Sequence, residues 1–195
     1  MNSRTTRGIG VTLLLACVVA TAGCAGSPTS TPAAAPPPTE SADALPVGMP
    51  NPPVGAFAAS VERVVDGDTF VARRDGRRVR VRLIGIDAPE SVKPDSPVEC
   101  YGPEASAFLS ALLPPGTRLR AAYQGAQHTD PNGRDLWDTW LADGRFVQAV
   151  LVQSGAVEAR SYRPQVAHAP YLARVEAVAA EELVGLHGAC GRSRS

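Results

Sequence analysis

The sequence is poor in aromatic residues, at 5% of 195 positions, and has no surplus of either charge, with 19 Lys and Arg against 19 Asp and Glu. That balance excludes a protein that coats nucleic acid indiscriminately, because such coating needs a basic excess. Any grip on a polyanion has to be local. No half of the chain reads as a membrane bundle, and no internal repeat recurs. The three histidines, His128, His168 and His187, lack paired ligand spacing, which sets aside zinc and histidine-based hydrolysis. Cysteine is scarce too: Cys17 and Cys24 near the start, Cys100 and Cys190 far along the chain.

What is present begins with a targeting segment. Arg4 and Arg7 precede a short apolar run from Ile9 to Ala20, too short for a comfortable membrane span. Thr21-Ala22-Gly23-Cys24 then reads as a lipobox with Cys24 as the lipidated residue, although Thr21 stands where a larger aliphatic residue is usual. The alternative is ordinary cleavage after the small residues, releasing a soluble protein. Either way the protein is expected to be exported, and any membrane attachment runs through the lipid on Cys24. From Gly26 to Pro53 the chain is rich in Ser, Thr, Ala and Pro, including Pro36-Pro37-Pro38. Such a stretch buries too little apolar surface to offset its ordering entropy and reads as a disordered tether. The expected layout is residues 1–24 as signal peptide, 25–56 as tether and 57–195 as one folded domain, a monomer. The domain without its leader and tether keeps 17 basic and 17 acidic residues.

From about Phe57 to Leu141 the pattern has the period of strands. Val61, Val64 and Val65 lead into the hairpin turn Asp66-Gly67, and Thr69 to Arg73 continues to a second turn at Asp75-Gly76. Val79, Val81 and Leu83 then alternate with Arg78, Arg80 and Arg82, one face apolar and the other basic. A helix opens at Gly102-Pro103, with Ala105, Phe108, Leu109 and Leu112 at helical spacing, and stops at Pro114-Pro115. Strands are expected at Arg118 to Tyr123 and Leu136 to Leu141, then a short helix carrying Val147, Val150 and Leu151 and ending at Gly155. A last helix runs from about Pro170, with Leu172, Val175, Val178, Ala179, Leu183 and Leu186 as its buried face. The sum is an α+β fold, mainly β: a small five-stranded Greek-key barrel with about three helices.

The acidic candidates for chemistry are Asp66, Asp68, Asp87 and Glu90. A two-residue turn at Asp75-Gly76 places Asp68 opposite Leu83, so Arg82 is its near neighbour. Asp87 overshoots that point by four residues, roughly 13 Å on a flat strand. The two carboxylates meet only if the strand coils strongly or the bend at Pro89 folds back. If they meet, two carboxylates with backbone oxygen and water suit a hard cation such as Ca²⁺. A third carboxylate held off the metal could deprotonate an attacking water, and guanidinium groups would clamp the phosphorus. Arg82 is one such group, and Arg134 after Gly133 in a polar loop is the other.

Together, Asp66-Gly67-Asp68-Thr69, Val81 to Glu90, Tyr101-Gly102-Pro103-Glu104-Ala105 and Asn132-Gly133-Arg134 resemble the staphylococcal nuclease family, in its order and nearly its spacing. The likeness covers nearly all of Ala58 to Gly188. It implies an OB-fold barrel with three helices and hydrolysis of DNA and RNA to products ending in 3′-phosphates. Carried over, Asp68 and Asp87 match the calcium ligands, and Ala88 stands where the family supplies a backbone carbonyl ligand. Glu90 matches the proposed general base, and Arg82 and Arg134 match the phosphate-binding arginines. Tyr162 matches one nucleotide-binding tyrosine. Arg160 stands where a second tyrosine is usual, and Pro131-Asn132 replaces a Lys-Tyr pair that contacts a terminal phosphate.

Plainer roles fall to other residues. Asp66 and Asp130 read as turn-holding or outer residues. Trp137, Trp140 and Tyr171 read as packing residues, with base stacking open to any exposed tryptophan. Cys100 and Cys190 are expected to form a disulfide, because both follow an export signal. A different class of function also fits the barrel: a catalytically silent OB-fold module that binds nucleic acid or protein. It would have no use for Asp68, Asp87, Glu90, Arg82 and Arg134 as a set.

Overall fold

The computed structural model describes residues 48–91, 97–161 and 166–191. The expected signal peptide, most of the tether, Cys24 and Tyr162 lie outside the described residues. Strands β1 (Phe57–Asp66), β2 (Thr69–Arg74) and β3 (Arg77–Leu83) form the expected meander. Asp75 and Gly76 both take positive φ, 49° and 74°, which is the mirror-image turn that matches strand twist. The register follows from it, with Arg74 opposite Arg77 and Thr69 opposite Arg82. Two irregularities in β1, between Val61 and Arg63 and between Val64 and Asp66, bend that strand around the barrel.

A two-residue strand β4 (Ile86–Asp87) and helix α1 (Gly102–Leu112) precede β5 (Arg118–Ala122) and β6 (Asp135–Leu141). The five long strands close a barrel in the order β1-β2-β3-β6-β5, with β3 and β6 parallel. This is the mainly-β, OB-like architecture expected. Alternation sends Phe70, Ala72, Val81 and Leu83 inward, where they meet Leu109 of α1 and Trp137, all fully buried. Trp140 is fully buried as well, its indole N–H donating to the Pro50 carbonyl at 2.7 Å. Both tryptophans are therefore packing residues, and neither presents a face for a base.

Helix α2 (Val147–Gln153) is followed by β7 (Glu158–Ala159), which pairs with β4, and then by α3 (Ala169–Glu181) and α4 (Leu186–Ala189). The expectation of one helix running through Leu186 is corrected here. Val178 and Leu183 are exposed, at 48% and 60%, and Leu183 takes a left-handed φ of 55°. The cause is a backbone contact. Leu186 donates its N–H to the Gly155 carbonyl at 2.9 Å, and a Cβ on Gly185 would lie 2.4 Å from that same oxygen. The chain must leave the helix to bring a glycine against Gly155. Leu172, Val175 and Ala179 keep the buried face expected of them, and Tyr171 is buried beside them.

Candidate active site

The hairpin turn at Asp66-Gly67 delivers Asp68 to the end of the barrel, where its side chain is almost wholly enclosed. Its Oδ1 accepts the Thr69 hydroxyl at 2.9 Å, and its Oδ2 accepts the Ala88 N–H at 2.9 Å and pairs with Arg82 Nη2 at 3.0 Å. Burial raises the Asp68 carboxyl above the ordinary range, opposed by Arg82 and by the Ala88 and Thr69 donors.

The four-residue overshoot of Asp87 is absorbed neither by coiling of β3 nor by the bend at Pro89. Gly85, at φ 80°, turns the chain immediately after β3, so Ile86 and Asp87 leave the barrel as β4. Arg82 staples that turn. Its Nη1 donates to the carbonyls of Leu83 at 2.6 Å and Ile86 at 2.9 Å, while Nη2 reaches Asp87 Oδ1 at 2.9 Å. One nitrogen thus lies within hydrogen-bond reach of both Asp68 and Asp87. The carboxylates converge.

Arg134 comes from the loop between β5 and β6. Asp130 shapes that loop by accepting the N–H groups of Asn132 at 2.9 Å and Arg134 at 2.8 Å. Its second oxygen takes Arg134 Nε at 2.6 Å. Burial alone would raise the Asp130 carboxyl, but these donors and the guanidinium charge outweigh it and hold it below the usual range. Arg134 Nη1 also lies 3.4 Å from the Thr69 hydroxyl, the group that donates to Asp68. Thr69 therefore links the acid pair to the second arginine. In the sequence Thr69 stands out only as part of a motif; its place beside Asp68 on a register-fixed strand is the signal that marks it.

Glu90 lies on the same cleft of about 640 Å³, with Asp68, Asp87, Arg82 and Arg134 also on its walls. Its backbone is pinned on both sides, the N–H donating to Glu99 Oε2 at 2.9 Å and the carbonyl accepting the Glu99 N–H at 2.9 Å. Asp66 holds its turn as expected and does more: its Oδ1 accepts Gly67 N–H and the hydroxyls of Ser91 and Ser106. It so ties the segment after Glu90 to α1.

A family model described as "Staphylococcal nuclease homologue" matches residues 80–187, more than half the chain. The chain belongs to this family. The Thermonuclease of Staphylococcus intermedius is 43% identical over 104 residues, 53% of this chain and 60% of that protein. The Thermonuclease of Staphylococcus hyicus is 41% identical over the same shares. Endonuclease YncB of Bacillus subtilis is 33% identical over 96 residues, 49% of this chain and 44% of its own length. The chain thus spans about 60% of the length of the thermonucleases it matches.

In this staphylococcal nuclease homologue the structure brings Asp68, Asp87, Ala88, Glu90, Arg82 and Arg134 onto one cleft. Arg160 joins them from the end of β7, its Nη2 pairing with Asp87 Oδ2 at 3.0 Å. Pro131 and Asn132 line the cleft beside Arg134. Cys100 and Cys190 are joined in a disulfide. Asp138, which no sequence motif marks, is buried on β6 behind the cleft and accepts from the side chains of Gln124 and Gln148. Burial pushes its carboxyl up to about 7. Its run, Asp135 to Leu141, lacks the clean alternation that would point it inward.

Proposed function

We propose that this protein is a calcium-dependent nuclease that hydrolyses phosphodiester bonds in DNA, RNA or both and leaves 3′-phosphates. The observation that carries the reading is the convergence of Asp68 and Asp87 on a single Arg82 nitrogen, at a cleft that Glu90 and Arg134 also line. Membership of the staphylococcal nuclease homologue family supports it.

The donor set suits calcium. Two carboxylates, with no sulfur or imidazole among the described residues that line the cleft, favour an oxygen-loving cation, whose shell water and the Ala88 backbone carbonyl would complete. Asp68 and Asp87 would hold the ion, which when bound supplies Lewis-acid polarisation of a phosphate oxygen. Glu90, anchored through its backbone, would take the proton from an attacking water at a carboxylate oxygen. The Arg134 guanidinium, oriented by Asp130, would meet the charge that grows on the phosphoryl oxygens. Arg82 would share that task while bracing the acid pair.

The basic start and short apolar run support export, and Thr21 to Cys24 supports a lipid on Cys24. Mass measurement of the mature N-terminus tests this: a diacylglyceryl Cys24 is expected, and an intact Met1 would refute export. For the activity, purified protein is incubated with single-stranded DNA, double-stranded DNA and RNA, in calcium or in chelator. Cleavage in calcium alone, with phosphate on the 3′ ends, is expected. Full cleavage in excess chelator would overturn the calcium role.

A further inference from the structure

A chain with no net charge must place its cations selectively if it is to hold a polyanion, and this fold does so. Antiparallel partners share a face, so the outward side of β3 continues onto β2 and β1. Arg80 faces Val71, which faces Arg63. The parallel pairing of β3 with β6 opens at Val81 opposite Asp135, one residue past Arg80 on one strand and one past Arg134 on the other. The next row holds Arg78 opposite Arg73, Arg73 opposite Ser60, and Ser60 opposite Arg118. All five of Arg63, Arg73, Arg78, Arg80 and Arg118 are exposed.

Three features set this face apart from an ordinary solvated one. First, Arg73 and Arg78 are direct cross-strand partners, an arrangement that destabilises a sheet unless an anion relieves it. Glu62, which pairs with both, offsets only part of the charge. Second, Val71 is 5% exposed but lies outside the core cluster, as expected if the arginine stems of its neighbours cover it. That would hold the guanidinium heads out over the sheet. Third, the face runs without a break into the cleft, because Arg82 lies two residues beyond Arg80 on the same side of β3, about 6.6 Å along the strand. The acids Glu181 and Glu182 sit instead on the exposed end of α3.

We propose that the outer face of β1, β2 and β3 is a track for the nucleic-acid backbone, carrying the strand away from the cleavage cleft. Arg80 receives the first phosphate beyond Arg82 and Arg134, and Arg63, Arg73, Arg78 and Arg118 receive those that follow. Arginine suits the task, since its fork engages phosphate oxygens in pairs and carries no base preference on a backbone. The inference rests on the nuclease reading, and it adds a dependence on substrate length that the cleft alone would not create.

The test uses the full chain and the triple variant Arg63→Gln, Arg80→Gln, Arg118→Gln. All three positions are exposed, so the fold should be unaffected, and circular dichroism checks that. Fluorescence anisotropy in chelator, with a labelled 24-nucleotide single strand, should give binding about tenfold weaker in the variant. The salt slope should fall by about 2, at roughly 0.7 for each phosphate the variant no longer neutralises. A dinucleotide, whose single phosphodiester occupies the cleft and reaches no residue of the track, should be cleaved at wild-type rate in calcium, while KM for the long strand rises. Equal affinity and slope for the long strand would overturn the track while leaving nuclease activity standing. Weakened binding in a protein that cleaves nothing would overturn the nuclease reading instead. Loss of binding to phosphatidylglycerol vesicles with the oligonucleotide affinity intact would assign the face to a membrane and sink the proposal.

Discussion

Arg160 Nη2 lies 3.0 Å from Asp87 Oδ2, while Arg82 Nη2 holds the other oxygen of the same carboxylate at 2.9 Å. The backbone fixes this meeting, because Asp87 pairs with Glu158 across β4 and β7 and Arg160 donates its N–H to the Gly85 carbonyl. Any metal ion that takes Asp87 as a ligand therefore competes with a tethered guanidinium. Arg160→Ala should bind calcium more tightly. The pair is partly exposed, so the gain is bounded by the energy of a surface ion pair, about 1 kcal/mol or up to fivefold in Kd. Isothermal titration of the nucleic-acid-free protein with Ca²⁺ reads it directly, and an unchanged Kd would mean that Arg160 moves aside without cost.

Glu90 and Arg134 are separable from the fold. Neither sits in the hydrophobic core, and each has its backbone held by a carboxylate from elsewhere, Glu99 for one and Asp130 for the other. Glu90→Gln removes a proton acceptor of the same shape and should lower kcat by about 10² to 10⁴. Arg134→Lys keeps the charge and loses the fork, and should lower kcat by about 10². Melting temperatures of both variants should stay near wild type. Turnover at the wild-type rate in either variant would remove that residue from the chemistry.

Much of this arrangement is readable in the chain because turns fix register. Asp75-Gly76 sets the β2–β3 pairing, and that pairing alone places Arg82 next to Asp68. The approach of Asp87 is not readable, since it depends on a left-handed Gly85 stabilised by Arg82 contacts to two carbonyls, and a glycine in a strand pattern does not announce its φ. The end of α3 escapes for a similar reason. Val178 and Leu183 continue the apolar spacing, but a distant backbone, that of Gly155, decides where the helix stops. Local pattern carries the strands and turns. Tertiary contact carries the bends between them.

Asp138 should give the protein a stability that declines as pH rises through the acid side of neutrality. Its folded pKa of about 7 stands above the unfolded value of roughly 3.9, so the native state binds the extra proton between them. The stabilisation is complete below the unfolded value and is lost as pH climbs through 7, with a limiting slope of about 1.4 kcal/mol per pH unit. His168, 3.5 Å away, is lowered by burial and contributes the opposite slope up to its unfolded value near 6.5. Comparison of urea unfolding from pH 5 to 8 for wild type and Asp138→Asn isolates the acid. The downward slope should vanish in the variant, and identical pH profiles would show that Asp138 stays ionised in its pocket.

The disulfide between Cys100 and Cys190 reaches the chemistry through Glu99. It ties the start of α1 to the end of α4 across 90 residues of sequence, and Glu99, next to Cys100, holds both backbone groups of Glu90. Loop-closure entropy for a span of that length gives about 4 to 5 kcal/mol as an upper value, and removal of a native bridge commonly costs about 2 to 5. The Cys100→Ser, Cys190→Ser variant should therefore melt lower, and dithiothreitol should lower wild type toward it. Because Glu99 is released along with Cys100, kcat should fall in the folded variant at a temperature well below its melting point, with calcium affinity little changed. If kcat stays at wild type while stability drops, the bridge braces the fold without positioning Glu90. If neither changes, the two ends are held by packing alone.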